Sequence, residues 1–338
     1  MRWIGRLAGA VVPALVAGAV GAGAAVAGTL EGVVERGTLR CGVSAAAVPG
    51  FATRDEAGRW TGFKVDYCRA IAAAVLADAE AVRFVALGDG AGADALATGA
   101  IDVLADATAW TAARDAQGLE FPAVTFFDGQ AFLVPRALGV RSALELDGAR
   151  ICVLASDDAF ARLDAFFASH LMEHVVLLFR GVPELFAAYE AGLCDAATGA
   201  RRRLAVGRSG LDTPAAHLFL PELVAKEPLA LVVAGGDPAW ADVVRWVHMA
   251  LLAAEEQGLD QVGASAPKPA PELAVEADLE VARGLGLAPG WARRAVAAVG
   301  HYGELFARHL GPGTAVGLER GANALWRDGG LHYPLPLR

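Results

Sequence analysis

Short apolar runs alternate with amphipathic stretches through most of this chain. Leu39–Val43, Val82–Leu87 and Ile101–Leu104 have the apolar density of buried strands, while Asp66–Ala77, with its alanine-rich face, and Asp94–Thr98 have helical spacing. The rhythm restarts at Ala149. Ala149–Leu154, Val175–Phe179 and Cys194–Thr198 read as strands, with helices at Asp158–His170 and Val182–Ala191 between them. His217–Leu220 and Leu229–Val233 look extended, and the chain turns helical from Pro238 through Glu256. A Pro/Ala linker at Ala264–Pro271 precedes helices to about Leu310. Such a βαβ rhythm predicts a largely parallel sheet with helices on both faces. Two α/β units result, the second inserted into the first, with crossings near Phe132 and Lys226–Leu229. Two crossings make a hinge, and ligands of α/β sheets bind at the carboxyl ends of strands. The loops after Val43, Leu104, Leu154 and Thr198 are therefore expected to face one cleft.

The N-terminus departs from this rhythm. Arg2 and Arg6 precede an apolar, small-residue run from Leu7 to Val26 that ends in Ala25-Val26-Ala27. This is the pattern of a secretory signal with cleavage after Ala27. The run is about long enough to span a bilayer, but it is rich in Ala and Gly and only weakly hydrophobic. Removing residues 1–27 would take the net charge from −9 to −11. The exported remainder has no other long apolar run and is expected to be soluble. Its acidity and the lack of a basic patch argue against a nucleic-acid partner. Four cysteines in an oxidising compartment, Cys41, Cys68, Cys152 and Cys194, predict disulfides, and three pairings are open.

Candidate chemistry concentrates between Ile101 and Val134, where Thr108, Thr111 and Arg114 lie in a small-residue loop before a long apolar strand. A guanidinium beside hydroxyls and loop N–H groups suits a carboxylate, since its fork grips both oxygens. In isolation the same arginine reads as a surface residue paired with Asp115. Other signals are weak. Gly88–Asp94 has the look of a dinucleotide loop but imperfect spacing and no acidic ribose partner. His170 and His174 sit four apart on an expected helix without a third ligand. No metal site, cofactor or nucleophile motif stands out.

Motifs spread along the chain carry a resemblance. They include LRCGVS (Leu39–Ser44), PGF (Pro49–Phe51), W-x-GF-x-VDYCRAIAAAVL (Trp60–Leu76), GAIDVL (Gly99–Leu104), T-x-WTAARD (Thr108–Asp115) and DGQAFLV (Asp128–Val134). AYEAGLCD (Ala188–Asp195), LPELVAKEPLALVV (Leu220–Val233), VGHYGELF-x-RHLG (Val299–Gly311) and ERGANALWRDGGLHYPLP (Glu319–Pro336) continue it. With these the chain resembles the family-3 periplasmic solute-binding proteins that serve polar amino acid ABC importers, the general L-amino-acid binders in particular. The resemblance implies an α/β, periplasmic-binding-protein-like bilobal (venus-flytrap) fold. Lobe 1 would be residues 28–131 and 228–338, and lobe 2 residues 132–227. It also implies disulfides Cys41–Cys68 and Cys152–Cys194, a ligand carboxylate held by Arg114, aromatic cover near Phe51, and membrane permease subunits as partners.

The departures from the family pattern fall in the ligand chemistry. Ala200 stands where an aspartate normally meets the ligand ammonium, and Ser156-Asp157-Asp158 replaces a Gly-Thr-Thr loop. The run before Arg114 is thinned to Asp106-Ala107-Thr108-Ala109, and Lys64 takes a position usual for aspartate. Asp157 and Asp158 can cap the following helix or supply an acid to a ligand amine. Arg201-Arg202-Arg203 reads as a solvated surface run rather than an anion clamp. The expected function is a non-enzymatic binder of an amino acid or related small polar solute, with a ligand set of Arg114, Thr108, Thr111, Phe51, Ser156, Asp157 and Asp158. A divergent paralogue with a changed ligand or a sensory role is the alternative. A dehydratase-like enzyme, with Asp158 as its cleft acid, is a distant third.

Overall fold

In the computed structural model, residues 28–154, 158–267 and 279–337 are described. One eight-stranded sheet organises them. Its strands are β1 (Leu39–Ser44), β4 (Val82–Leu87), β5 (Val103–Ala109), β6 (Leu119–Pro135), β7 (Ala149–Leu154), β8 (His174–Phe179), β9 (Ala196–Ala200) and β10 (His217–Ala234). The short strands β2 (Thr53–Arg54) and β3 (Trp60–Thr61) form a separate hairpin. The order is β4-β1-β5-β10-β6-β9-β7-β8. Three parallel strands at one end (β4, β1, β5) mirror three at the other (β8, β7, β9), and the long antiparallel pair β6/β10 lies between.

The central pair makes the molecule bilobal. His217 and Leu229 belong to one continuous strand rather than to two extended segments, because β10 pairs with β6 from His217↔Pro135 to Ala234↔Leu119. Four irregularities break that register, two of them between Phe219 and Ala225. Gly129 lies opposite Lys226, where a Cβ would run into the Ala225 carbonyl, so glycine lets the strands stay close.

Each end of the sheet is buried on both faces. At one end a large core packs the helices Phe63–Leu76 and Pro238–Gln257 on one side, and a smaller cluster around Leu96, Ile101 and Phe121 covers the other. At the other end two clusters flank the sheet, around Phe132 and Phe167 and around Leu133 and Leu185. Cys41–Cys68 and Cys152–Cys194 are bonded, each within one half. The segment after residue 300 braces the central pair. Asn323 accepts from the Phe127 N–H (2.7 Å) and donates to the Phe127 carbonyl (3.1 Å), and the Tyr302 hydroxyl donates to Thr125 O at 3.0 Å.

Two local expectations change. The helix ending at Ser169 leaves His170 as its C-cap, and His174 opens β8, so the two histidines do not share a helical face. His174 lies against the Phe167 ring at 4.4 Å. The arginine run is not a solvated loop: Arg201–Arg208 is a helix, and Arg201 and Arg202 are only partly exposed. Among the described residues no helix is long and apolar enough to cross a membrane.

Candidate functional site

The carboxyl ends of β1, β4, β5, β7 and β9 converge, as expected for a doubly wound sheet. Two adjoining cavities occupy the space between the halves. The first, about 640 Å³, is lined by Ser44 and Ala46–Pro49 after β1, Leu87–Gly90 after β4, and Asp106–Thr108 in β5. The second, about 630 Å³, is bounded by Leu154, Asp158, Gly199 and Ala200 on one side and by Ala107, Ala109 and Thr111 on the other. Ala107, Arg114, Gln117, Arg202 and Arg203 line both.

Arg114 therefore stands between the two cavities. It sits on a four-residue helix, Ala112–Asp115, whose N-cap is Thr111; the Thr111 hydroxyl accepts from the Arg114 N–H at 3.4 Å. One guanidinium nitrogen, Nη1, donates to the Ala109 carbonyl at 2.8 Å, which tethers one arm of the fork on an exposed side chain. Arg114 is exposed, as the surface reading has it, but among the described residues it makes no ion pair with Asp115. Thr108 lines the first cavity and Thr111 the second.

Asp158 lies beside the second cavity, but neither role expected of it is its main engagement. It is the N-cap of Ala159–Ser169 by position, yet its side chain makes no capping bond. Its carboxylate pairs with Arg162 at 3.1 Å, and Arg162 also reaches Glu227 at 3.3 Å. Phe51 is buried in the core, edge-on to Phe126 at 5.2 Å, and lines neither cavity. Ser156 and Asp157 lie outside the described residues.

Several residues at the site were outside the expected ligand set. Arg202 approaches the fully buried Asp128 carboxylate at 3.2 Å, and its backbone N–H donates to Asp128 Oδ1. Burial pushes the Asp128 carboxyl up to about 6, against the pull of Arg202. Gln130 donates to Ala159 O at 3.0 Å, and its buried Oε1 has no hydrogen-bond partner among the described residues. Lys64, at the family's aspartate position, is buried and donates to the Thr125 hydroxyl at 2.6 Å. Burial pushes its ammonium down to about 7, with Asp106 opposing that fall and Arg202 adding to it. The signal for Asp128, Gln130, Lys226 and Glu227 was their place in the motifs DGQAFLV and LPELVAKEPLALVV near the crossings; Gln130, Lys226 and Glu227 line the second cavity.

A family model for bacterial extracellular solute-binding proteins, family 3, matches residues 39–265. The chain belongs to this family, whose members bind solutes between two lobes. It is 41% identical over 327 residues to the general L-amino acid-binding periplasmic protein AapJ of Rhizobium johnstonii, covering 95% of this chain and 96% of that one. It is 42% identical over 323 residues to the glutamate/glutamine/aspartate/asparagine-binding protein BztA of Rhodobacter capsulatus, covering 94% and 95%. A solved ABC transporter periplasmic binding protein from Brucella ovis with glutathione bound is 40% identical. It superposes with a TM-score of 0.77 over 92% of this chain and 100% of that one.

Proposed function

We propose that this chain is the periplasmic receptor of an ABC importer and takes an amino acid or related small polar solute between its lobes, with Arg114 holding the carboxylate. Arg114 carries this reading. It is rooted by Ala109 and Thr111, borders both cavities, and has no carboxylate partner among the described residues. The names of the relatives support it, since they bind L-amino acids, acidic amino acids and their amides, or a small peptide. In this reading residues 28–131 and 228–338 form lobe 1 and residues 132–227 form lobe 2. Thr108, Thr111 and Arg114 meet the ligand from lobe 1, and Ser156, Asp157 and Asp158 from lobe 2. Phe51 supports the site from the core. Residues 1–27 are removed on export, and the mature monomer docks on permease subunits. No catalytic step is assigned, because the Asp158 carboxylate is tied to Arg162.

A changed ligand is the second reading, favoured by Ala200, which lines the second cavity without a side-chain acceptor for an ammonium. A thermal-shift screen of the twenty amino acids and small peptides, followed by calorimetry, tests both. Binding without turnover supports the receptor reading. Arg114→Ala is expected to remove detectable binding, since truncating one partner of a desolvated charge pair costs roughly 2–5 kcal/mol. Unchanged affinity in that variant refutes the anchor.

A further inference from the structure

The family model ends at residue 265, and residues 279–337 lie beyond it. Part of this tail packs on the first end of the sheet, where Tyr302, Leu305, Phe306 and Leu310 join the large core. The stretch that follows, residues 311–323, also reaches the crossing and the opposite half. One end of it holds the crossing, through the two Asn323 bonds to Phe127. The other end meets the helix Arg201–Arg208, which follows β9 directly. That helix lies so close to the helix Val182–Glu190 that a Cβ on Gly207 would enter the Phe186 ring.

Neighbouring residues of this helix face different halves. Leu204 packs in the cluster around Leu133 and Leu185. Ala205 packs in the large core of the first half, which also takes Val316 and Leu318. Arg208 completes the contact. Its Nη2 donates to the Val316 carbonyl at 3.1 Å and to the Gly317 carbonyl at 2.7 Å. Such bonds from a charged donor are stronger than neutral ones. Gly317 has a φ of +59°, and a Cβ there would stand 2.9 Å from the same nitrogen, so conformation and close approach both call for glycine. The Phe219 ring lies 5.1 Å from the Arg208 guanidinium, in β10 where the register breaks after Phe219.

We infer that residues 311–323 are a strap over the hinge, a third connection between the halves, clamped by Arg208 on the Val316 and Gly317 carbonyls, that limits how far the lobes open. The crossing strands alone make a soft hinge, because their register is broken in four places. Rotating the second half about them carries the helix Arg201–Arg208 with it. The strap stays with the first half, through its core residues and Asn323, so the rotation must stretch or break the Arg208 bonds. Arg208 lines neither cavity and therefore acts on a solute only through the spacing of the lobes. A narrower range of opening leaves less binding energy to be spent on closure. The inference goes beyond the receptor reading and holds whatever solute is bound.

Double electron–electron resonance tests the strap on the mature chain, freed of endogenous ligand by unfolding and refolding. Spin labels are placed on Glu35 and Ala168, exposed residues on helices of the two halves. A genetically encoded keto amino acid carries them, so both disulfides stay. Arg208→Gln removes the clamp from one side, and Gly317→Ala crowds it from the other. Each is expected to widen the interlobe distance distribution about two-fold, and the double variant no further than the wider single, because both act on one contact. Circular dichroism and melting confirm that the variants fold, and either single variant decides if the other does not. An unchanged distribution overturns the strap, as does a double variant whose widening is the sum of the two. Neither result touches the receptor reading, which stands or falls on solute binding by the wild-type chain and its loss in Arg114→Ala.

Discussion

The two halves of the molecule use the same device at different depths. At β1, the Arg40 carbonyl accepts the Asp102 N–H, the Arg40 N–H donates to Asp102 Oδ2, and the guanidinium grips the same carboxylate, with Nη2 to Oδ1 at 2.6 Å. In β7, Arg150 does the same to Asp195, with Nη2 to Oδ1 at 2.7 Å. Each arginine is two residues before the first cysteine of its half's disulfide or directly beside it: Arg40 adjoins Cys41, and Arg150 precedes Cys152 by two. Each aspartate stands immediately before the third strand of its half, β5 or β9, so the lock spans two successive βα crossovers. The surroundings differ. The Asp102 side chain is 2% exposed and gains a second guanidinium from Arg36, whereas the Asp195 side chain is 30% exposed and has one partner. A repeated motif is thus not a repeated energy, because the cost of breaking an ion pair depends on whether water can replace the lost partner.

The largest expected difference between the halves follows directly. Asp102→Ala takes the carboxylate from two partly exposed guanidinium groups and from the Arg40 N–H and should cost about 2–3 kcal/mol in urea unfolding. Asp195→Ala should cost far less, since Arg150 is fully hydrated once released. Equal losses would show that the depth of the lock does not matter.

The disulfides extend the comparison. Cys41–Cys68 closes a separation of 27 residues and Cys152–Cys194 one of 42. Removing either by a Cys→Ala pair should cost roughly 2–4 kcal/mol, the longer loop exceeding the shorter by about 0.4 kcal/mol if loop entropy decides. Peptide mapping without reductant checks the pairing, and a cross-lobe peptide would contradict it.

Lobe 1 and the crossing strands also hold the buried titrating groups. The folded chain releases the Lys64 proton near pH 7, whereas unfolded lysine holds it to about 10.5. Between those values the unfolded chain binds more protons, so stability rises with pH. Asp128 acts the other way: the folded chain keeps its proton up to about 6 and the unfolded one only to 3.8, so stability falls across that window. A stability minimum between pH 6 and 7 is expected from the two. Lys64→Met should raise stability at pH 6 by on the order of 2 kcal/mol and flatten the alkaline limb. Melting curves across pH that leave that limb unchanged would remove Lys64 as its source.

The smallest effect concerns the helix that carries Arg114. Thr111→Ala removes its N-cap, worth about 1 kcal/mol, and should weaken ligand binding several-fold with little change in melting temperature. A full loss of binding would mean that the hydroxyl meets the ligand itself.

How much of the site was legible depended on how local its causes are. Thr108, Thr111 and Arg114 could be placed together on the cavity walls because they lie within seven consecutive residues, at the end of β5 and the start of the helix that follows it. Phe51 lies next to the right segment, but a large ring is drawn to the core when Phe63 and Phe126 offer edge contacts, and no motif shows that choice. Arg201 and Arg202 looked like a surface run because basic residues at a strand end usually are. They are partly buried because Asp128, 74 residues earlier, waits at the crossing and the Phe219 ring lies 5.1 Å from Arg201.

By itself the sequence determined the strand–helix rhythm and its restart, the four cysteines and the position of Arg114, since periodicity, composition and short-range chemistry are written in neighbouring residues. The pairing of β6 with β10, the sharing of Arg162 between Asp158 and Glu227 and the burial of Lys64 were decided only by the tertiary structure. Each of those needs groups tens to hundreds of residues apart to be brought together, and charge balance or desolvation acts only once they are.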